Sequence, residues 1–280
     1  MRLRALGRGP LVVKLAGLAG GVGLYDEEIE SVARAGFRIA AVDTAGDRSD
    51  DPAPGPLTWD FLAGEVFAGL AALAAPQAIL WGTSFGCLVA LAAAARRPEC
   101  VSGLLLCHPP DPLRRPRFQQ AVLQWAEKRE DPLRVARVFT AGFRLLACWE
   151  GLFPTVLRRM PSLFRAAAEA ATPPATVMEK VRLLTCDPPG FPPDDLGPRV
   201  SVVASSWDTV TSASEARRLS ERLPGAKLRI LRFSGHCAAY SRPRAYARLV
   251  LEELCRIAGS ERPEAEAPPE SEVPEPGSAS

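Results

Sequence analysis

The stretch AILWGTSFGCLVALAAAA, residues 78–95, combines three patterns that together favour one type of fold. Its first four residues are apolar and predict a buried strand, whereas the alanine-rich part from Cys87 onward predicts a helix. Between them, Gly82-Thr83-Ser84-Phe85-Gly86 has the G-x-S-x-G pattern of a nucleophile elbow, a sharp turn that exposes a serine hydroxyl. Its glycines are expected to avoid collisions between this turn and neighbouring elements. The alternative is that Ser84 is only a small residue in a tight turn.

Length and charge limit the classes of protein that the chain can represent. With 280 residues, 47% of them hydrophobic and 24% charged, it is long enough for one sizeable core and an insertion. Residues 261–280 contain six Glu and one Arg, a net charge of −5, so the rest of the chain carries +7 against an overall +2. The arginines are spread along the sequence without a block of like charge, and we therefore expect no nucleic-acid partner.

Cysteine usage and hydropathy indicate a cytoplasmic protein without a membrane span. The seven cysteines are odd in number and irregularly spaced, which argues against a disulfide framework and for a reducing compartment. Arg8, Pro10 and Lys14 interrupt the apolar N-terminal region, which does not resemble a signal peptide. No uncharged apolar stretch approaches the ~18 residues of a spanning helix.

Strand-like and helix-like segments alternate through most of the chain. Near-continuous apolar strands separated by helices predict an α/β fold, a mostly parallel central sheet with helices on both faces. We predict strands at Leu11–Ala16, Phe37–Asp43, Ala78–Trp81, Val101–Cys107, Val200–Ala204 and Lys227–Leu231, and helices at Asp26–Ala35, Asp60–Ala74, Phe85–Arg96, Ala213–Leu223 and Arg244–Ile257.

Residues 111–195 interrupt this alternation. They are helical in pattern, rich in aromatic residues and punctuated by prolines, and we interpret them as a helical lid inserted into a core formed by residues 1–110 and 196–258. Trp125, Phe143 and Trp149 are candidates for the lining of a substrate pocket, although they would equally serve to pack the lid onto the core. The Pro/Glu-rich residues 259–280 are expected to be a disordered acidic tail.

A serine nucleophile needs a base and an acid that orients the base. His236 follows the last predicted strand, where open α/β sheets place functional loops, and is the candidate base. Asp208 follows the strand before it directly and is the candidate acid, while the bland alternative is a cap for the next helix. Asp187, Asp194 and Asp195 are rival acids, but they lie among prolines before that strand.

The order Ser84, Asp208, His236, with the elbow in its strand–turn–helix context, resembles the α/β-hydrolase fold superfamily. The resemblance extends over residues 10–258 in the order of elements. It implies a serine hydrolase with these three residues as catalytic triad and an oxyanion hole made of backbone N–H groups. It also implies that the hole donors are Phe85, after the nucleophile, and Leu18, after Gly17.

The first glycine-rich loop departs from the family's pattern. The family often has His-Gly after its first parallel strand, and this chain has Ala16-Gly17. The histidine of that pair supports the loop and does not react, so its loss does not forbid catalysis. The loop lacks the G-x-G-x-x-G spacing of a dinucleotide site, and we expect no cofactor.

Two further residues are candidates for the pocket. His108 follows the strand beside the elbow strand and borders the predicted pocket, with structural hydrogen bonding as the alternative role. Trp207 precedes the candidate acid. Neither histidine has partners at metal-ligand spacing, so we expect no metal.

The reaction expected from these residues is acyl transfer from a small-molecule ester, thioester or related carbonyl compound, either free or bound to a carrier. The aromatic residues of the lid favour an apolar acyl or alkyl group. A serine at the elbow argues against enzymes of this fold that use a carboxylate nucleophile. The alternative is a lyase, cyclase or binding protein of the same fold, which Ala16 favours. The oligomeric state does not follow from the sequence.

Overall fold

The computed structural model describes residues 2–18, 21–44, 46–48, 52–53, 55–114, 117–129, 131, 134–135, 138, 172–185 and 188–260. Within these residues, seven strands form one sheet in the order β1-β3-β2-β4-β5-β6-β7. Every neighbouring pair is parallel except β1 and β3, which are antiparallel. The strands are β1 (Arg2–Leu6), β2 (Leu11–Leu15), β3 (Arg38–Asp43), β4 (Ala78–Thr83), β5 (Val101–Cys107), β6 (Val200–Ser205) and β7 (Lys227–Leu231).

Helices cover both faces of the sheet, as the strand pattern predicts. The described helices are α1 (Asp26–Arg34), α2 (Trp59–Ala72), α3 (Phe85–Arg96), α4 (Arg117–Glu127), α5 (Pro174–Thr185), α6 (Ala213–Glu221), α7 (Ala238–Ser241) and α8 (Pro243–Ala258). One core cluster joins the sheet to α2, α3 and α6, and a second joins it to α1 and α8. The mostly parallel sheet with helices on both faces confirms the predicted fold class.

Two of the described helices, α2 and α6, begin with a side chain that caps the first turn. Thr58 caps α2 by accepting a hydrogen bond from the Phe61 N–H at 3.0 Å. Ser212 caps α6 in a reciprocal capping box with Glu215. Asp208 is therefore not the cap of α6, and the alternative prediction that it caps the next helix is wrong.

The edge strand β1 is absent from the sequence-based prediction. Its alternating sequence RLRAL fits a half-exposed strand, but two arginines in five residues do not give the near-continuous apolar pattern that predicts a buried strand. Gly7 and Gly9 carry the chain from β1 to β2 with φ of +76° and +106°. A Cβ at either position would lie about 2 Å from a carbonyl oxygen of residues 36–37, so only glycine fits this close crossing.

Part of the predicted lid is described. α4 and α5 pack against each other through a small apolar cluster that also contacts Leu18, at the end of β2. Phe143 and Trp149 lie outside the described residues, as does the tail from residue 261 onward. None of the helices that the structure describes combines the length and apolar character needed to cross a bilayer.

Candidate active site

The turn between β4 and α3 has the strained geometry expected of a nucleophile elbow. Ser84 has φ +52° and ψ −116°, a conformation that L-residues rarely adopt. A Cβ at Gly82 would lie 2.5 Å from the Gly86 carbonyl oxygen, and one at Gly86 would lie 2.4 Å from that of Leu15. Both glycines of the motif are therefore required by close backbone contacts, as predicted from the sequence.

The nucleophile candidate lies at the N-terminus of α3. Helix N-termini present N–H groups without intrahelical partners and favour negative charge. Phe85 is the first residue of the helix, so its amide belongs to this group, and its ring is buried against Trp59 at 5.6 Å. An oxyanion formed next to Ser84 would meet this end of the helix.

The Gly17 loop borders Ser84 directly. A Cβ placed on Gly17 would lie 3.7 Å from both Ser84 Cβ and the Thr83 carbonyl oxygen. Leu18 follows, half-buried against the core. The structure therefore brings the loop that carries one predicted oxyanion donor to the residue that would react.

Asp208 and His236 form a close pair on the loops that follow β6 and β7. His236 Nδ1 lies 2.8 Å from Asp208 Oδ2. The amides of Val210 and Thr211 each donate to Asp208 Oδ1 at 2.8 Å. The Thr211 hydroxyl lies 3.0 Å from Asp208 Oδ2 and 3.3 Å from His236 Nδ1. These contacts fix the carboxylate and the face of the imidazole that it meets.

The charge state of Asp208 follows from these contacts. Burial alone raises the pKa of its carboxyl. The charge of His236, the hydrogen bond to that ring and the Thr211 amide outweigh burial and lower the pKa to about 2. Asp208 is therefore ionised at neutral pH and able to stabilise a positive charge on His236.

His108 lies against this pair, buried and in a strained conformation. Its φ is +54°, its side chain is 2% exposed, and its Nε2 lies 2.9 Å from Ser205 Oγ. Its ring centroid lies 5.5 Å from that of His236 and 5.9 Å from that of Tyr246. Burial lowers the pKa of His108 to about 4, with His236 acting in the same direction and Asp208 opposing it. His108 is therefore a neutral, hydrogen-bonded ring, which matches the structural alternative stated for it.

His108 also connects the serine with the acid–base pair. The Ser84 N–H donates to the carbonyl oxygen of Cys107 at 2.9 Å, and His108 is the next residue. Its own carbonyl oxygen accepts from the Thr211 hydroxyl at 3.0 Å. The structure thus brings Ser84, Asp208 and His236 to the same edge of the sheet, where the parallel strands end.

The remaining pocket candidates are spread out. Trp207 is 46% exposed and packs edge-on against Phe233, which is 54% exposed. Trp125 is half-buried in α4, where Arg129 lies over its ring. Of the rival acids, Asp194 and Asp195 are exposed in a short 3₁₀ helix, and Asp187 lies outside the described residues.

Three site residues were missed by sequence reasoning. Tyr25 contacts the backbone of Gly17, and Lys180 of α5 lies 3.5 Å from the Gly17 carbonyl oxygen. Thr211 completes the surroundings of Asp208. None of these lies in a motif. The structure shows an Asx turn at Asp208, but its spacing points to the Val210 amide, two residues on, and not to Thr211.

A buried lysine lies beneath the elbow. Lys14 of β2 is fully buried, donates to Thr83 Oγ1 at 2.6 Å and lies 3.7 Å from the centroid of the Trp81 ring. Burial lowers its pKa, and the Glu28 carboxylate at 3.7 Å opposes this effect. Lys14 therefore links α1 to the residue that precedes Ser84.

A cavity of about 770 Å³ opens between α1 and the α7–α8 region. It is lined by Tyr25, Glu28, Asp47, Tyr240 and Tyr246, among others. None of Ser84, Asp208 and His236 is among the described residues that line it. Among its lining residues, Tyr25 lies near Gly17 and Tyr246 lies 5.9 Å from the His108 ring, measured between ring centroids.

Sequence comparison connects the chain to one family. A model described as the alpha/beta hydrolase family matches residues 17–249, a range that contains Gly17, Ser84, Asp208 and His236. A comparison with curated proteins found no match.

Several solved structures have the same fold at low sequence identity. A hydrolase from Pseudomonas aeruginosa PA01 is 24% identical with a TM-score of 0.69, over 90% of this chain and 93% of that one. A thermophilic esterase from Thermogutta terrifontis is 21% identical with a TM-score of 0.70, over 92% and 93% of the two chains. The enol-lactonase from Burkholderia xenovorans LB400 is 19% identical with a TM-score of 0.66, over 90% and 95%.

Proposed function

Because the chain belongs to the alpha/beta hydrolase family, we propose that it is a serine hydrolase that cleaves an ester, thioester or related carbonyl compound. The observation that carries the proposal is the 2.8 Å contact between His236 Nδ1 and Asp208 Oδ2, at the sheet edge where the strained Ser84 lies. A base held by an ionised acid, at the sheet edge that carries an elbow serine, provides the groups that nucleophilic catalysis requires. The esterase and lactonase among the structural neighbours agree with this class of reaction.

The proposed cycle begins with proton transfer from the Ser84 hydroxyl to Nε2 of His236. The serine oxygen attacks the carbonyl carbon, and the electron pair of the C=O bond moves to the oxygen. The amides of Phe85 and Leu18 would donate to this oxyanion, and Asp208 would stabilise the imidazolium. Collapse expels the leaving group, which takes the proton from His236. Water then releases the acid by the same steps and regenerates Ser84.

We further propose that residues 111–195 form a lid over an apolar acyl site. Support comes from α5, whose Thr176 hydroxyl donates to the Gly46 carbonyl oxygen at 2.6 Å and whose Lys180 reaches the Gly17 loop. This helix thus covers the ends of β2 and β3, next to the proposed nucleophile. We also propose that the substrate carries an apolar group, because the lid is rich in aromatic residues. Cysteine usage supports the further proposal that the protein is cytoplasmic.

A fluorophosphonate probe tests the nucleophile. We expect it to label the wild-type protein and to leave Ser84→Ala unlabelled, because the probe bonds to an activated serine oxygen. Ser220→Ala is the matched control, since the Ser220 hydroxyl donates to the Arg217 carbonyl on the surface of α6. A panel of p-nitrophenyl esters and thioesters of increasing chain length would then define the acyl group.

The second candidate function is a non-hydrolytic member of the same fold. The observation that favours it is Ala16, at the position where the family often carries a supporting histidine. A folded wild-type protein that neither reacts with the probe nor turns over any ester or thioester would overturn the hydrolase proposal in favour of this one.

A further inference from the structure

The loop after β2 lacks the side chain that often supports it in this family. Ala16 is 9% exposed, and its side chain is a methyl group that cannot form a hydrogen bond with the loop. Yet Gly17 lies against Ser84, and a displaced loop would misplace the Leu18 amide. A missing oxyanion donor lowers kcat by about 10²–10³ in serine hydrolases, so the position of this loop matters for the proposed reaction.

Tyr25 contacts the loop from the side of α1. A Cβ on Gly17 would lie 3.6 Å from the Tyr25 hydroxyl oxygen, and an interaction of this oxygen with the Gly17 backbone lowers the pKa of Tyr25 against the larger effect of burial. Burial raises the pKa of Tyr25 far above its usual range, so the hydroxyl keeps its proton. The ring is held by Lys14, whose Nζ lies 4.1 Å from its centroid. This tyrosine is therefore a fixed polar contact for the loop.

Lys180 contacts the same glycine from the side of α5. Its side chain is 3% exposed, and its Nζ lies 2.5 Å from Asp47 Oδ1 and 3.5 Å from the Gly17 carbonyl oxygen. The second distance is at the outer limit of a hydrogen bond, so the contact is mainly an attraction between charge and carbonyl dipole. Nζ also lies 5.4 Å from the centroid of the Phe85 ring, next to the other proposed donor.

We propose that Tyr25 and Lys180 are positioning residues that together hold the Gly17–Leu18 loop in the conformation of an oxyanion hole. The two residues come from different elements, and they converge on one glycine. They supply the contact to the loop that the methyl group of Ala16 does not provide. This inference rests on the proposed function, because an oxyanion hole has a role only if Ser84 reacts.

A simpler role for Lys180 is to neutralise Asp47. The Asp47 carboxylate is buried and also accepts from the backbone and hydroxyl of Thr44 at 3.0 Å and 2.7 Å. Removing Lys180 alone would leave that charge unpaired and could prevent folding. The double variant Asp47→Asn/Lys180→Met removes both charges and separates the two roles. If Lys180 only balances Asp47, the double variant should have wild-type activity.

The experiment compares kcat and KM of Tyr25→Phe, Lys180→Met and the double variant with those of the wild type on the best ester of the panel. We expect kcat to fall by about 10–100-fold in each, a fraction of the loss caused by a missing donor, with KM within threefold. Lys180→Arg should restore most of kcat because it keeps the cation. Arg182→Met, which removes an exposed cation on the same helix, is the matched control and should behave as wild type.

A second measurement keeps the loop and the reaction apart. Selective ¹⁵N labelling follows the amide resonances of Gly17 and Leu18, which should shift in Tyr25→Phe and in the double variant but not in Arg182→Met. Unchanged kcat and unchanged amide resonances in these variants would overturn the inference. If the wild-type protein has no hydrolytic activity, the proposed function fails, and the amide resonances alone decide whether Tyr25 and Lys180 hold the loop.

Discussion

The acid–base half of the candidate site and its oxyanion half are assembled in different ways. Asp208, Thr211 and His236 lie on loops that follow the adjacent strands β6 and β7, so neighbouring segments hold them. The oxyanion half depends on Gly17, which is contacted by Lys180 from 163 positions further along the chain. The sequence therefore identifies Asp208 and His236 and, through the family resemblance, the proposed donors Leu18 and Phe85, whereas the contact of Lys180 with Gly17 is recognisable only once the chain has folded.

The same contrast has an energetic side. The ionised Asp208 receives two amide hydrogen bonds from its own turn and the imidazole contact from the neighbouring loop, so its charge is satisfied by adjacent segments. The ion pair of Lys180 with Asp47 connects α5 to the end of β3 and is almost completely buried. Buried ion pairs contribute little net stability but are costly to break, so this pair fixes geometry more than it stabilises the fold. Substitutions in the two halves should therefore have different effects on activity and stability.

Asp208→Asn is expected to have the largest effect. An amide in this position favours the wrong tautomer of His236, and loss of the acid in a serine triad lowers kcat by about 10³–10⁴-fold. The free energy of unfolding at neutral pH should change little in comparison with this loss of kcat, because the amide retains the size of the side chain. Kinetics on the best ester would measure this loss. Asp194→Asn, a rival acid exposed in a 3₁₀ helix, is the control and should retain full activity.

Gly86→Ala tests the close backbone contact between the elbow and the loop after β2. A Cβ on Gly86 would lie 2.4 Å and 2.6 Å from the carbonyl oxygens of Leu15 and Ala16. Because backbone atoms cannot rotate away, we expect a loss of about 3 kcal/mol in the free energy of unfolding, measured by urea denaturation. The loss should be accompanied by a lower kcat, since the loop after β2 must move.

The matched control for this change is Gly64→Ala in α2. A Cβ on Gly64 meets no atom within 4 Å, so alanine should stabilise the helix by about 0.5–1 kcal/mol. Equal unfolding free energies for the two variants would show that the close backbone contact at Gly86 has no energetic consequence. That result would remove the steric reason for the second glycine of the motif.

The pH dependence of stability tests how His108 supports the acid–base half. Its pKa of about 4 in the folded protein lies below the ordinary value of 6.5, so the unfolded chain binds the extra proton more readily. Stability therefore falls as the pH decreases through this window, and by about pH 4.5 the loss relative to neutral pH should reach about 2 kcal/mol. His108→Asn should lack this loss, because Asn tolerates the left-handed backbone and does not titrate.

Melting temperatures of both proteins at about pH 7 and about pH 4.5 provide the measurement. The Asp208 carboxyl has a lowered pKa as well, but its contribution to stability is lost only between its ordinary value of 3.8 and about 2. It therefore does not mask the effect of His108. An identical acid sensitivity in wild type and variant would mean that His108 is not the buried neutral ring described above.

The success of sequence reasoning follows the same division. The elbow, the strand and helix on either side of it and the loops of Asp208 and His236 could be predicted, because each depends on local pattern and on where a parallel strand ends. β1 could not, because two of its five residues are arginines and its pairing with β3 is formed only in the folded chain. Lys14 lies within an apolar strand, and only the tertiary structure supplies the Thr83, Trp81 and Glu28 contacts that make its burial possible.

Thr211→Val is expected to have the smallest effect, and it asks how self-sufficient the acid–base half is. The hydroxyl contacts Asp208 Oδ2 and the His108 carbonyl oxygen, both at 3.0 Å, whereas the Thr211 amide keeps its own bond to Oδ1 in the variant. Losing one such hydrogen bond costs about 1 kcal/mol, which corresponds to about a fivefold lower kcat. Thr211→Ser keeps the hydroxyl and should retain nearly full activity. If valine and serine behave alike, the Asp208–His236 pair is held by the loop amides alone. If valine lowers kcat by as much as Tyr25→Phe, the two halves of the site depend equally on single side-chain hydroxyls.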